Sequence, residues 1–143
     1  MNYLLTTALA WVFCAYSWSA FCQNESAPYQ LTDVSSYLPE IKAVYGEVWV
    51  SENPDAVNVL EDCFINRMRY LIEPLTENDK YPLLSSFPVM NKFNPAISAI
   101  DYSQFNPSTF VPITYNLPFF SDQTQVVRVD GTNYIIVIDP VKY

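Results

Sequence analysis

The sequence predicts a small α+β protein, in which one helix packs on a mostly antiparallel sheet of about four strands and a long proline-rich segment wraps the core. Three observations support this prediction. Residues 125–138 resemble a β-hairpin, residues 54–66 carry apolar side chains at helical spacing, and residues 75–121 contain six prolines and no glycine. Residues 23–143 have the usual size of one domain, so we expect a single domain there.

Residues 1–22 contain no charged side chain and end in Ala20-Phe21-Cys22. This ending suits a signal peptidase, so we expect a signal peptide that is cleaved after Cys22. No Lys or Arg precedes the apolar run, and residues 3–21 approach the length of a membrane-spanning helix, so an uncleaved N-terminal anchor is the alternative. We therefore expect an exported protein, periplasmic or extracellular, that meets a membrane only through an uncleaved leader.

The first predicted strand covers residues 42–50, where β-branched and aromatic side chains are frequent. One face of this strand would carry the valines, and the other would carry Tyr45, Glu47 and Trp49. A helix over 54–66 follows, because Asn53 can cap its first turn and Pro54 suits its first position. Alternating apolar side chains then predict a second strand that ends before Pro74.

The proline-rich segment, residues 75–121, is too rich in apolar side chains to be a solvated linker. Its proline density excludes long helices and central strands, so we expect an irregular, extended wrap that buries its aromatics. The hairpin follows, with Asp130-Gly131 as a two-residue turn. That turn would place Val127 opposite Tyr134 and Val129 opposite Thr132. Both faces of the last strand are apolar, which predicts a central position in the sheet.

The chain is acidic, with fifteen acidic and seven basic side chains and a net charge of −8. The basic residues are mostly isolated, so we expect no nucleic acid as partner. The cysteines do not indicate a disulfide within the mature chain, because Cys14 and Cys22 lie in the predicted leader. Cys63 remains alone in the apolar stripe of the predicted helix, where we expect a buried, inert thiol.

The sequence contains no histidine, which removes the usual general base and the commonest metal ligand. The two glycines, Gly46 and Gly131, cannot form a glycine-rich phosphate loop. We therefore predict no catalytic residue, no metal site and no cofactor. The alternative is a carboxylate-dependent hydrolase acting on a surface polysaccharide, since such chemistry needs only two acids across a cleft. Its candidates are Glu47, Glu61, Asp62, Asp101 and Asp122.

Aromatic side chains are the remaining feature, with eleven tyrosines, nine phenylalanines and three tryptophans. Trp49 is the only tryptophan after the predicted leader. Exposed Tyr and Trp rings suit a binding surface, although such rings can equally fill a core. The sequence thus predicts a non-enzymatic interaction or structural module that meets a protein, peptide or glycan, with Trp49, Tyr45 and Glu47 as its tentative binding surface.

Three stretches are similar to segments of small exported proteins of uncharacterised function found in Bacteroidota. They read DKYPLLSS (79–86), YNLPFFS (115–121) and RVDGTNYIIVI (128–138). The leader's ending, Phe-Cys-Gln-Asn at 21–24, resembles the same group. The resemblance implies export and one compact domain, and it implies no active site.

Overall fold

The computed structural model describes residues 37–142, so the predicted signal peptide lies outside the described residues. Three helices open this range and are followed by one π-helical turn and three strands. The elements are α1 (Leu38–Tyr45), α2 (Glu47–Glu52), α3 (Pro54–Asp62), the π-helical turn (Cys63–Arg67), β1 (Met68–Ile72), β2 (Gln125–Arg128) and β3 (Tyr134–Ile138). The predicted α+β class is confirmed. In the described range no helix is long and apolar enough to cross a bilayer.

The sheet of residues 37–142 is antiparallel and has three strands in the order β1-β3-β2. The last strand is therefore central, as its two apolar faces predicted. Ile136 and Ile138 on β3 are fully enclosed, in one core with Ile41 of α1 and Leu60 of α3. The helices thus pack against the sheet, and the strand count is one lower than expected.

The strand predicted over residues 42–50 is wrong, because this stretch is helical. Helix α1 begins with a proline in its first turn and buries Ile41 and Val44, three residues apart, against the core. Val48, which should have shared a face with Val44, is 70% exposed. Burial at helical spacing outweighs the β propensity of valine, tyrosine and tryptophan here, because propensity depends strongly on packing.

Gly46 separates α1 from α2 and adopts a φ of +85°. A residue with a side chain reaches this backbone region only at a steric cost. An added Cβ would also lie 3.3 Å from Cδ1 of Phe93. Glycine is thus required twice, for the turn and for the approach of the Phe93 ring.

Gly46→Ala should therefore lower the free energy of unfolding by about 2 kcal/mol, since strain and crowding add. The matched control is Gly131→Ala, because Gly131 has a φ of +65° and nothing within 4 Å of an added Cβ. This control should cost only about 1 kcal/mol. Urea unfolding of both variants measures the difference, and equal losses would contradict the crowding against Phe93.

The predicted helix 54–66 is observed as α3 and the π-helical turn that continues it. Asn53 stands at the predicted N-cap position of α3, but its side chain makes no capping hydrogen bond there. Its side-chain Nδ2 donates to the Trp49 carbonyl at 2.8 Å and so closes the end of α2. The strand predicted after this helix is confirmed as β1, which ends before Pro74.

The predicted hairpin pairs are wrong by two residues, because Val127 lies opposite Ile136 and Arg128 opposite Ile135. Five residues, 129–133, lie between β2 and β3, so the connection is longer than the predicted two-residue turn. The Val129 carbonyl accepts from the Thr132 amide at 3.1 Å, and the Val129 amide donates to the Tyr134 carbonyl at 3.0 Å. A slip of two keeps each side chain on its predicted face, which is why the core pattern still holds.

Residues 73–124 join β1 to β2 with three short 3₁₀-helical turns, at Leu84–Ser86, Tyr102–Gln104 and Pro112–Thr114. The segment nevertheless contributes buried aromatic residues to the core, namely Phe110, Tyr115 and Phe119. Two stretches of the segment that are far apart in the sequence pair with each other through backbone hydrogen bonds. The Met90 amide donates to the Thr114 carbonyl at 2.8 Å, and the Asn116 amide donates to the Pro88 carbonyl at 2.9 Å.

Candidate functional site

A shallow apolar depression of about 380 Å³ lies where α1 meets α2. We call it the aromatic depression. It is lined by Tyr45, Gly46, Glu47, Val48, Trp49, Glu52 and Phe93. All three residues of the sequence-predicted surface, Trp49, Tyr45 and Glu47, therefore meet here.

The reason for their proximity differs from the predicted one. Tyr45 ends α1 and Trp49 lies on α2, and the turn at Gly46 between the two helices brings their side chains together. Their rings stack, with centroids 4.3 Å apart and planes inclined by 21°. The junction of two helices, and not the face of a strand, brings the aromatic pair together.

Phe93 was not predicted as part of the site and comes from the distant proline-rich segment. Its side chain is 55% exposed and its ring rests against Gly46. The following residue holds it there, since Asn94 Oδ1 accepts from the Ala96 amide at 3.1 Å and closes a turn. In the sequence, the Phe-Asn-Pro triplet at 93–95 indicates this turn and its preceding phenylalanine, and the triplet occurs again at 105–107.

The two triplets differ in the position of their phenylalanine. Phe105 lies within ring-contact distance of Tyr70, Phe110 and Tyr134, and packs against the core. Phe93 instead stays on the surface of the aromatic depression. The repeated turn motif therefore does not determine where the ring goes, because the neighbours of each turn decide its burial.

The charged residues that line the aromatic depression are both acids. The Glu47 side chain is 84% exposed, and its Oε1 lies 3.8 Å from Nζ of Lys42. Glu52 is exposed at the end of α2. Burial raises the pKa of Tyr45 above its ordinary value, which is itself well above physiological pH, and the phenol is therefore neutral. The lining of the depression is thus apolar with two carboxylates, and Lys42 and Lys92 lie beside it.

A second depression, of about 350 Å³, is polar. It is lined by Asp62, Asn66, Arg67, Asp139, Pro140 and Lys142. Buried Arg67 donates from Nε to Asp62 Oδ2 at 2.7 Å, from Nη1 to the Asp139 carbonyl at 2.9 Å and from Nη2 to the Val59 carbonyl at 2.9 Å. Such a satisfied guanidinium ties α3 to the end of β3.

The carboxylates of the polar depression are poorly suited to glycoside hydrolysis. A hydrogen bond from Asn66 and the neighbouring Arg67 guanidinium lower the pKa of Asp62, whereas a general acid needs a raised pKa. The Asp139 carboxylate forms an ion pair with Arg69. Of the remaining predicted acids, Asp101 accepts from the Ser103 amide at 3.0 Å and closes a turn.

The structure distributes the other predicted acids over different elements. Glu47 begins α2 and lines the aromatic depression, Glu61 lies in the last turn of α3, and Asp122 is an exposed residue before β2. Within residues 37–142, no group of three acidic, cysteine or histidine side chains could hold a metal ion.

Cys63 is fully buried at the start of the π-helical turn, as its position in the apolar stripe predicted. Desolvation raises the pKa of its thiol to about 11.

We expect that iodoacetamide at about pH 8 leaves Cys63 unmodified in the native protein and alkylates it after unfolding in urea, because only an accessible thiolate reacts. Peptide mapping by mass spectrometry measures the modification at this site. Equal alkylation of native and unfolded protein would contradict the burial.

Comparison of the chain with protein-family models, with curated proteins and with solved structures gave no match. The site must therefore be interpreted from its own geometry and chemistry.

Proposed function

We propose that the protein is a non-enzymatic, extracytoplasmic interaction module that binds its partner through the aromatic depression. The observation that carries the proposal is the surface cluster of Tyr45, Val48, Trp49 and Phe93 at the junction of α1 and α2. Exposed apolar patches with a polar rim mark interaction sites on soluble proteins. Tyrosine and tryptophan are also enriched among the residues that dominate binding energy.

The side chains of this cluster are preorganised in the absence of a partner. The stack of Tyr45 on Trp49 fixes two of its rings, and the Asn53 amide group fixes the end of α2 by donating to the Trp49 carbonyl. Phe93 rests on the glycine at the junction. Preorganised side chains lose little entropy on binding, which favours affinity.

A panel of immobilised peptides and glycans tests this proposal with the wild-type protein and with Trp49→Ala. We expect the binding detected with the wild type to weaken about 30-fold in Trp49→Ala, the loss typical of a central aromatic contact. The control is Phe120→Ala, because Phe120 is an exposed aromatic residue outside the lining of the aromatic depression. This control should bind as the wild type does.

Two outcomes would contradict the proposal. Binding that survives Trp49→Ala would place the partner elsewhere on the surface. Turnover of a glycan in the same panel would favour the alternative, a carboxylate-dependent hydrolase acting on a surface polysaccharide.

Export forms a separate part of the proposal and rests on the uncharged leader, residues 1–22. We expect the protein recovered from its producing cells to begin at Gln23. Intact mass measures this directly. A species that retains residues 1–22 would instead support the membrane anchor.

A further inference from the structure

We propose that the partner is a protein segment that presents an arginine or lysine side chain to the aromatic depression. The apolar stem of that side chain would lie on Val48 and the aromatic rings, and its cationic head would lie beside Glu47 and Glu52. The inference rests on the proposed function and specifies the class of partner.

Charge complementarity supports a cationic partner. The residues lining the aromatic depression include two carboxylates, Glu47 and Glu52, and no basic side chain. Lys42 lies next to the rim and pairs with Glu47 at 3.8 Å, a distance that leaves an exposed ion pair weak and open to competition.

The overall charge of the chain adds to the negative potential of Glu47 and Glu52. The whole chain carries a net charge of −8. Each of its three arginines, Arg67, Arg69 and Arg128, is already engaged by a carboxylate of the same chain. A negative surface attracts a basic partner from solution and repels an acidic one.

The aromatic rings supply the second element of recognition. Lys92 already places its Nζ 5.1 Å from the centroid of the Phe93 ring. This distance lies in the cation–π range, and a cationic side chain of a partner would compete with Lys92 for the ring or use the neighbouring Tyr45 and Trp49 rings. Lysine and arginine also bury their methylene stems on apolar surface while their heads stay in water. The apolar residues that line the depression suit the methylene stem of such a side chain, and the carboxylates of Glu47 and Glu52 suit its cationic head.

Isothermal titration calorimetry with three blocked peptides tests the inference. The peptides share one sequence and differ at one central position, which is arginine, citrulline or glutamate. Citrulline keeps the shape of arginine and removes its charge. We expect the arginine peptide to bind about tenfold tighter than the citrulline peptide, because each of two exposed charge pairs contributes roughly threefold. The glutamate peptide should bind more weakly than both.

Two matched double variants distinguish the effect of the carboxylates in the depression on peptide affinity from the effect of the overall charge. The double variant Glu47→Gln/Glu52→Gln should weaken the arginine peptide about tenfold and leave the citrulline peptide unchanged. The control variant Glu77→Gln/Asp122→Asn removes the same charge from exposed positions outside the depression. It should leave both affinities within about twofold of the wild type, since exposed charges at a distance are screened.

The outcomes also separate this inference from the proposed function. Equal affinities for the arginine and citrulline peptides would overturn the inference. Binding of a neutral glycan that depends on Trp49 but not on Glu47 or Glu52 would also overturn it, and would leave the interaction module in place. Arginine-peptide binding that survives Trp49→Ala would overturn both.

Discussion

Arg128→Met should lower the free energy of unfolding by about 3–5 kcal/mol, because it leaves a desolvated carboxylate without its partner. Among residues 37–142, Arg128 is the largest fully buried side chain, at 1% exposure. Its Nε donates to Asp79 Oδ2 at 2.5 Å and its Nη1 donates to the Glu73 carbonyl at 2.6 Å. The guanidinium also lies 5.5 Å from the centroid of the Tyr81 ring. The arginine therefore fastens the start of the proline-rich segment to β2.

The control for this experiment is Arg69→Met, which breaks the partly exposed pair with Asp139. We expect this variant to lose at most about 1 kcal/mol, because water solvates the separated charges. Urea denaturation at neutral pH measures both variants. A loss in Arg128→Met no larger than that in Arg69→Met would show that the buried network does not hold the segment.

Phe119→Ala should cost about 3–5 kcal/mol, the range for removing a large aromatic side chain from a packed core. Phe119 is 1% exposed and meets Phe64 edge to face, with centroids 5.3 Å apart. Its carbonyl also accepts a hydrogen bond from Nη2 of Arg67 at 3.2 Å. A single residue of the irregular segment thus contacts the π-helical turn with both side chain and backbone.

The adjacent residue provides the control, because Phe120 is 46% exposed. Phe120→Ala should change the free energy of unfolding by no more than about 0.5 kcal/mol, as is usual for surface sites. Thermal or urea unfolding of the two variants gives the comparison. Similar losses would mean that the proline-rich segment is not part of the cooperative core.

Both predictions concern the segment that also supplies Phe93 to the aromatic depression. The segment is anchored at its start by Arg128 and near its end by Phe119. Between these anchors, backbone hydrogen bonds join residues 88–90 to residues 114–116. The candidate binding surface therefore depends on an irregular segment that the core holds in place.

Several elements could be predicted because their signals are local. The helix beginning at Pro54 shows apolar side chains at helical spacing, and β1 and β3 show the composition of strands. The central position of β3 followed from its two apolar faces. Cys63 was correctly assigned to the core on the same periodicity.

Only part of the aromatic depression could be predicted from the sequence. Tyr45 and Trp49 were grouped correctly, although the strand that was meant to group them is absent and two helices take its place. Phe93 and Glu52 were missed. Phe93 reaches the surface through contacts between segments far apart in the chain, and no local pattern encodes such contacts.

Composition and local periodicity were enough to establish the acidic charge, the lack of histidine and the order of the C-terminal elements, because none of these depends on which distant segments meet. Contacts between distant segments were needed to establish that residues 38–45 and 47–52 are helical, that the hairpin pairs Val127 with Ile136, and that Phe93 meets Gly46. These features depend on burial. Which side chains leave water depends on the surfaces that distant segments offer, and this free energy outweighs the small local preferences of the backbone.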